Sequence, residues 1–135
     1  MKKSPVVHFE MPAKDKKRVS EFYSKVFGWE MNHMGEEMGN YIVAGTTETK
    51  DGRPTTPGAI NGGFYDYKDE PGFRDPSVVV AVEDLKASIE EVKKAGGEIV
   101  GKEMKISGIG LFVSIQDTEG NRVGMLQPSP MSSTK

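Results

Sequence analysis

The sequence predicts an α+β fold in which one plan, a strand followed by a helix and three more strands, occurs twice. Three observations lead there. Two amphipathic stripes at helical spacing each begin after an aspartate and stop at glycine. Each is preceded by one strand-like run and followed by three. A stretch rich in proline and glycine separates the two series.

The first run, Val6 to Met11, has the length of a strand. Beyond Pro12, the residues Val19, Phe22, Tyr23, Val26 and Phe27 form one apolar helical stripe, with Asp15 as its cap and Gly28 as its stop. Trp29 to Met34 and Tyr41 to Ala44 follow as strands, the polar stretch 45–57 as a loop, and Gly58 to Tyr65 as a glycine-rich strand. Residues 67–76 hold Pro71-Gly72 and Asp75-Pro76 and are expected to link a first module of about 5–66 to a second of about 77–128. There the plan restarts. Ser77 to Val82 is β-branched, and Asp84 caps a stripe of Leu85, Ile89, Val92 and Ala95. Gly96-Gly97 stops that helix, and Glu98 to Met104, Leu111 to Ile115 and Arg122 to Leu126 read as strands. Asp117 to Asn121 supplies the last tight turn. Asp15 precedes Gly28 by the same interval as Asp84 precedes Gly97, which supports an internal repeat.

Composition excludes several chemistries. The absence of cysteine removes disulfides, thiolate metal sites and a cysteine nucleophile. A net charge of -2 gives no general attraction to phosphate backbones, so no nucleic acid is expected as a partner. The basic run Lys14, Lys16, Lys17 and Arg18 reads as a solvated helix start. No leader-like or membrane-spanning apolar segment is legible, so the expectation is a cytoplasmic protein with no membrane partner. Gly58 to Gly63 matches neither a P-loop nor a dinucleotide fingerprint, and no Ser-His-Asp arrangement can be assembled.

Several pieces of the chain carry a family resemblance. They are Val7-His8-Phe9-Glu10, Asp15, the run Phe22 to Trp29, Gly58 to Gly63, Val80 to Leu85, Ala95-Gly96-Gly97 and Asp117 to Asn121. Together they resemble the glyoxalase/bleomycin-resistance/extradiol-dioxygenase, or vicinal oxygen chelate, superfamily. The resemblance implies two βαβββ modules forming curled mixed sheets around an open cleft, with helices on the outer face. It also implies dimers. Members usually hold a divalent metal in the cleft through His or Glu from strands, and the metal polarises vicinal substrate oxygens. Other members lack the metal and bind a drug or another small molecule.

Strand alternation tests that implication on this chain. Val6, His8 and Glu10 share one face of the first strand, while Val7, Phe9 and Met11 share the other and are expected to pack on the helix. His8 then falls where the family's first metal ligand sits. Ser77 is its counterpart in the second module, Gly124 falls near the family's glutamate, and Asn61 is the remaining donor in the first module. A catalytic zinc site needs about three protein ligands, and only His8 with Glu10 offers suitable donors. No cofactor is therefore expected. The favoured reading is metal-independent binding of a small organic molecule, with His8 and Glu10 as acid–base candidates and Tyr41, Asn61, Ser77, Arg122, Gly124 and Leu126 as ligand contacts. The alternative is a metal-dependent lyase or dioxygenase using His8, Glu10 and ligands from a partner chain. Glu10, about 7 Å along the strand from His8, is expected to raise the histidine pKa. His33, near Glu36 and Glu37, reads as a surface turn residue.

Phe22, Tyr23, Phe27 and Trp29 are expected in the core, as are Met11, Met104 and Met125, whereas Met34 and Met38 are placed to form an adaptable apolar lip. Open sheet edges that a second copy could cover add to the family's implication of a homodimer.

Overall fold

The computed structural model describes residues 2–106 and 108–129. It divides into two compact units, one of residues 7–76 and one running from Ser77 onward that also takes in the residues up to Val6. The first contains all but the first residue of β1 (Val6–Ala13), with α1 (Lys16–Phe27), β2 (Glu30–His33), β3 (Ile42–Gly45), β4 (Thr49–Lys50), β5 (Arg53–Pro54) and β6 (Asn61–Asp66). The second contains β7 (Ser77–Ala81), α2 (Leu85–Lys94), β8 (Glu98–Ile106), β9 (Gly110–Gln116) and β10 (Arg122–Pro128).

Both units have the same mixed topology. In the first the order is β2-β3-β6-β1, with β1 parallel to β6 and the other pairs antiparallel. In the second the order is β7-β10-β9-β8, with β7 parallel to β10 and the other pairs antiparallel. The repeat read from the sequence is therefore a repeat of βαβββ modules. Among the described residues, no helix is long and apolar enough to cross a membrane.

The two aspartates cap as expected. Asp15 accepts from the Arg18 amide at 3.0 Å and Asp84 from the Ala87 amide at 3.1 Å, each satisfying one orphan donor of its helix. Gly28 closes α1 in the left-handed region, but α2 ends two residues earlier than the matched spacing implies, and the positive φ falls at Gly96. Gly97 is a close-approach position instead, because a Cβ there would lie 2.9 Å from the Gln116 carbonyl oxygen.

The first core gathers Ala13, Ile42, Ala44 and Phe64, with Phe9, Met11, Val19, Tyr23, Trp29 and Met31 packed against them. Tyr23 stacks on Trp29 with centroids 4.6 Å apart. The expected stripe of α1 is only partly buried: Phe22, Val26 and Phe27 are 53, 55 and 59% exposed. Val19 and Tyr23, one turn apart, take the contact with the sheet, and the stacked Trp29 fills the space beside Tyr23. Val7 also stays exposed, because pairing of β1 with β6 begins only at His8 opposite Asn61. The second core is Val82, Leu85, Ile89, Val113, Ile115 and Met125. Met104 is excluded from it and half exposed, since the ladder is irregular between Val100 and Met104.

The stretch read as an open loop contains a short hairpin. β4 and β5 pair across Asp51-Gly52, both with positive φ, which suits a tight turn between twisted strands. Asn61 anchors the base of this excursion by accepting from the amides of Thr46 at 2.8 Å and Thr47 at 3.2 Å.

Gly62 is where β6 admits the core ring of Phe9: a Cβ at this glycine would lie 2.4 Å from ring carbons. Gly62→Ala is expected to destabilise the protein by about 1–3 kcal/mol through overpacking. Gly35→Ala, at a position with open space and negative φ, should leave stability nearly unchanged. Urea denaturation of the two variants beside the parent checks both.

Candidate functional site

The polar residues of the first module meet because of where β3 enters its sheet. Ile42 pairs with Phe64 and Val43 with Gly63, and Ile42, Ala44 and Phe64 belong to the core on the helix side. Tyr41, one residue before β3, therefore lies on the opposite face. Its ring covers Gly63, where a Cβ would fall 2.0 Å from the phenolic oxygen. β1 lies on the other side of β6, with His8 opposite Asn61 and Glu10 opposite Gly63. A ring that crosses Gly63 thus reaches both side chains. The Tyr41 hydroxyl donates to Glu10 Oε2 at 3.0 Å and lies 3.1 Å from His8 Nε2.

This arrangement sets the proton positions. A phenol has one proton; given to the Glu10 carboxylate, it leaves an oxygen lone pair toward the imidazole. His8 Nε2 must then carry hydrogen and donate. Among the described residues no hydrogen-bond partner meets Nδ1, so the neutral ring presents that nitrogen as an acceptor. Burial of the half-buried imidazole lowers its pKa below the ordinary value. The expectation that Glu10 raises it is corrected on physical grounds. The carboxylate reaches the ring through the tyrosine hydroxyl, and loss of water around the ring disfavours its charged form.

The second module repeats the packing with different chemistry. Phe112 covers Gly124, where a Cβ would sit 2.7 Å from the ring and 3.1 Å from Val79. Gly124 is therefore buried beneath an aromatic ring, and its role is to admit that ring. Ser77, the counterpart of His8, is buried, and its hydroxyl accepts from Arg122 Nη1 at 3.4 Å. Arg122 Nη2 donates to Ser114 at 3.1 Å. Ser114 was not singled out from the sequence, although alternation along β9 places it on the face opposite Val113 and Ile115. Leu126 pairs with Phe112 and is half-buried. Asn61 has its oxygen engaged by the amides of Thr46 and Thr47. His33 stands apart on the surface with Nε2 2.9 Å from the Ser20 hydroxyl.

The donor set is a poor fit for the divalent metal that the family resemblance implies. His8 Nε2 and Glu10 converge on one phenol, the Asn61 oxygen is engaged, and Gly124 brings no donor. Among the described residues, no three His, Cys, Asp or Glu side chains gather at one point.

The low pKa of His8 has a defined consequence for stability. The folded state favours the neutral ring, so the unfolded chain binds more protons near the ordinary histidine value of 6.5. Stability should fall as pH drops through that value, and His8→Gln should flatten this part of the profile. Urea denaturation at stepped pH reads the effect, and an NMR titration midpoint of His8 above 6.5 would contradict it.

Comparison with known proteins agrees with this architecture. The model of the Glyoxalase/Bleomycin resistance protein/Dioxygenase superfamily matches residues 6–125. A glyoxylase-like domain-containing protein of Didymella fabae is 32% identical over 115 residues, which are 83% of this chain and 84% of that protein. Among solved structures, a hypothetical protein from Bacillus halodurans C-125 superposes with a TM-score of 0.68 at 11% identity, covering 96% of this chain and 97% of the other. Streptomyces coelicolor methylmalonyl-CoA epimerase in complex with 2-nitronate-propionyl-CoA gives 0.67 at 17% identity, covering 93% and 97%. At such identities the likeness is one of fold. With its two βαβββ modules and a family match across nearly its whole length, the chain belongs to the Glyoxalase/Bleomycin resistance protein/Dioxygenase superfamily.

Proposed function

We propose that this protein binds a small organic molecule without a resident metal, using His8 as the principal orienting and proton-accepting group. The observation that carries the reading is the Glu10–Tyr41–His8 array, which orients the imidazole with Nδ1 as its acceptor, while burial favours the neutral ring. A ligand hydroxyl, amide or activated C–H is the partner such a nitrogen takes. Tyr41 and Glu10 position the ring. In the other unit, Arg122, held by two serine hydroxyls, is proposed separately as a group suited to a carbonyl or carboxylate oxygen. The Asn61 amide nitrogen is the further proposed contact beside His8, and Ser77 and Leu126 are those proposed beside Arg122. Because a solved relative of this fold holds an acyl-CoA analogue, coenzyme A thioesters head the compounds to test.

Calorimetry and thermal-shift measurements against acyl-CoA thioesters, small carboxylic acids and antibiotics are expected to yield a saturable ligand. His8→Ala should weaken it about tenfold, the loss of one well-placed hydrogen bond. A panel without any hit sensitive to that substitution would overturn the reading. So would purified protein holding a stoichiometric metal that His8→Ala removes, which would favour a metal-dependent lyase or dioxygenase.

The same reading places the protein in the cytoplasm as a homodimer. β2 and β8 end their sheets and offer strand edges that a second copy can cover. Sedimentation equilibrium at micromolar concentration should give twice the 14.8 kDa chain mass, and a monomer would defeat the proposal.

A further inference from the structure

A second feature of the first module is independent of His8. Between the start of α1 and the segment 66–76 lies an open hollow of about 550 Å3, a size common for small-ligand sites. Lys14, Arg18 and Arg74 line it, against one carboxylate, Asp15. That carboxylate is engaged in capping α1. The lining therefore carries a local excess of positive charge on a chain whose net charge is negative. Two rings, Phe22 and Tyr67, complete the walls. Phe22 is 53% exposed, an unusual state for a phenylalanine on the apolar side of a helix.

The walls are built rather than loose. The Tyr67 amide donates to the Ala13 carbonyl at 3.1 Å, which fixes the segment against the end of β1. Within the segment, the Lys68 amide donates to Phe73 at 3.2 Å and the Phe73 amide to Glu70 at 3.0 Å. Asp69 holds Arg74 at 3.1 Å, and Lys14 Nζ lies 4.7 Å from the centre of the Tyr67 ring. Among the described residues, Lys14 and Arg18 have no acidic partner.

We infer that this hollow is a second binding site, for a small anion on a planar apolar body, such as an aryl carboxylate or aryl phosphate. The anionic head meets Arg18 and Lys14, which have no acidic partner among the described residues, while the ring lies against Phe22 and Tyr67. A guanidinium suits such a head because its planar fork matches a carboxylate or phosphate edge. Apolar contact adds what exposed charge alone does not supply in water.

The test is a 15N-HSQC titration of the full chain with benzoate, phenyl phosphate, inorganic phosphate and benzyl alcohol. Saturable shifts confined to residues around Lys14, Arg18, Tyr67 and Arg74 are expected with the two aryl anions. Inorganic phosphate and benzyl alcohol should bind about tenfold more weakly or not at all, each lacking one half of the recognition. Arg18→Gln should weaken phenyl phosphate about tenfold, with Lys17→Gln as the neighbouring-charge control and no effect. Absence of saturation at millimolar ligand, equal binding of inorganic phosphate, or equal loss in both variants would overturn the inference. Shifts centred on His8 would do so too, while leaving the proposal for that residue intact.

Discussion

Two adjacent glycines in β6 let aromatic rings approach the same strand from opposite faces, and the first module is arranged around that vacancy. Gly62 admits Phe9 to the helix side, where it meets Trp29 and the buried Phe64 layer. Gly63 admits Tyr41 to the other side, where its hydroxyl arrives between His8 and Glu10. Strand alternation makes these two consequences inseparable: adjacent residues serve opposite faces, so a single glycine could have opened only one of them. The core and the polar array are thus set by one dipeptide.

The second module shows what the same packing does with different side chains. Phe112 over Gly124 is the counterpart of Tyr41 over Gly63, but a phenyl ring has no hydroxyl, and Ser77 occupies the position of His8. The polar chemistry of that face then passes to Arg122, steadied by Ser77 and Ser114. The aromatic-over-glycine packing recurs in both modules, whereas the polar groups beside it differ. The glycine at each of these positions also explains the poor donor set for a metal. The space where a carboxylate could stand is filled by a ring.

Burial is the other constraint on the site. In water, Glu10 two residues from His8 would favour an imidazolium, and that expectation follows from the sequence alone. In the fold, the tyrosine hydroxyl stands between the two, and desolvation decides the outcome in favour of the neutral ring. A neutral imidazole whose Nε2 is committed to a donor role is a different reagent from a charged one: it accepts, and from a defined direction.

Local signals in the sequence determined the longer strands, both helices with their aspartate caps and the repeated plan. Each depends on periodicity or on a cap within a few residues, which tertiary packing reinforces rather than alters. The alternation Val6-His8-Glu10 likewise placed the histidine and glutamate on one face. The Asp51-Gly52 hairpin was legible in principle, since that dipeptide favours a tight turn, but two prolines masked it. Only the tertiary structure decided that Phe22, Val26 and Phe27 stay largely exposed, because a helix stripe does not state how much of it a sheet will cover. Only it brought Tyr41 between His8 and Glu10, since that contact joins residues from separate strands through the empty position at Gly63. Which residues meet across a sheet depends on register, and register is a property of the folded ladder rather than of any short stretch of chain.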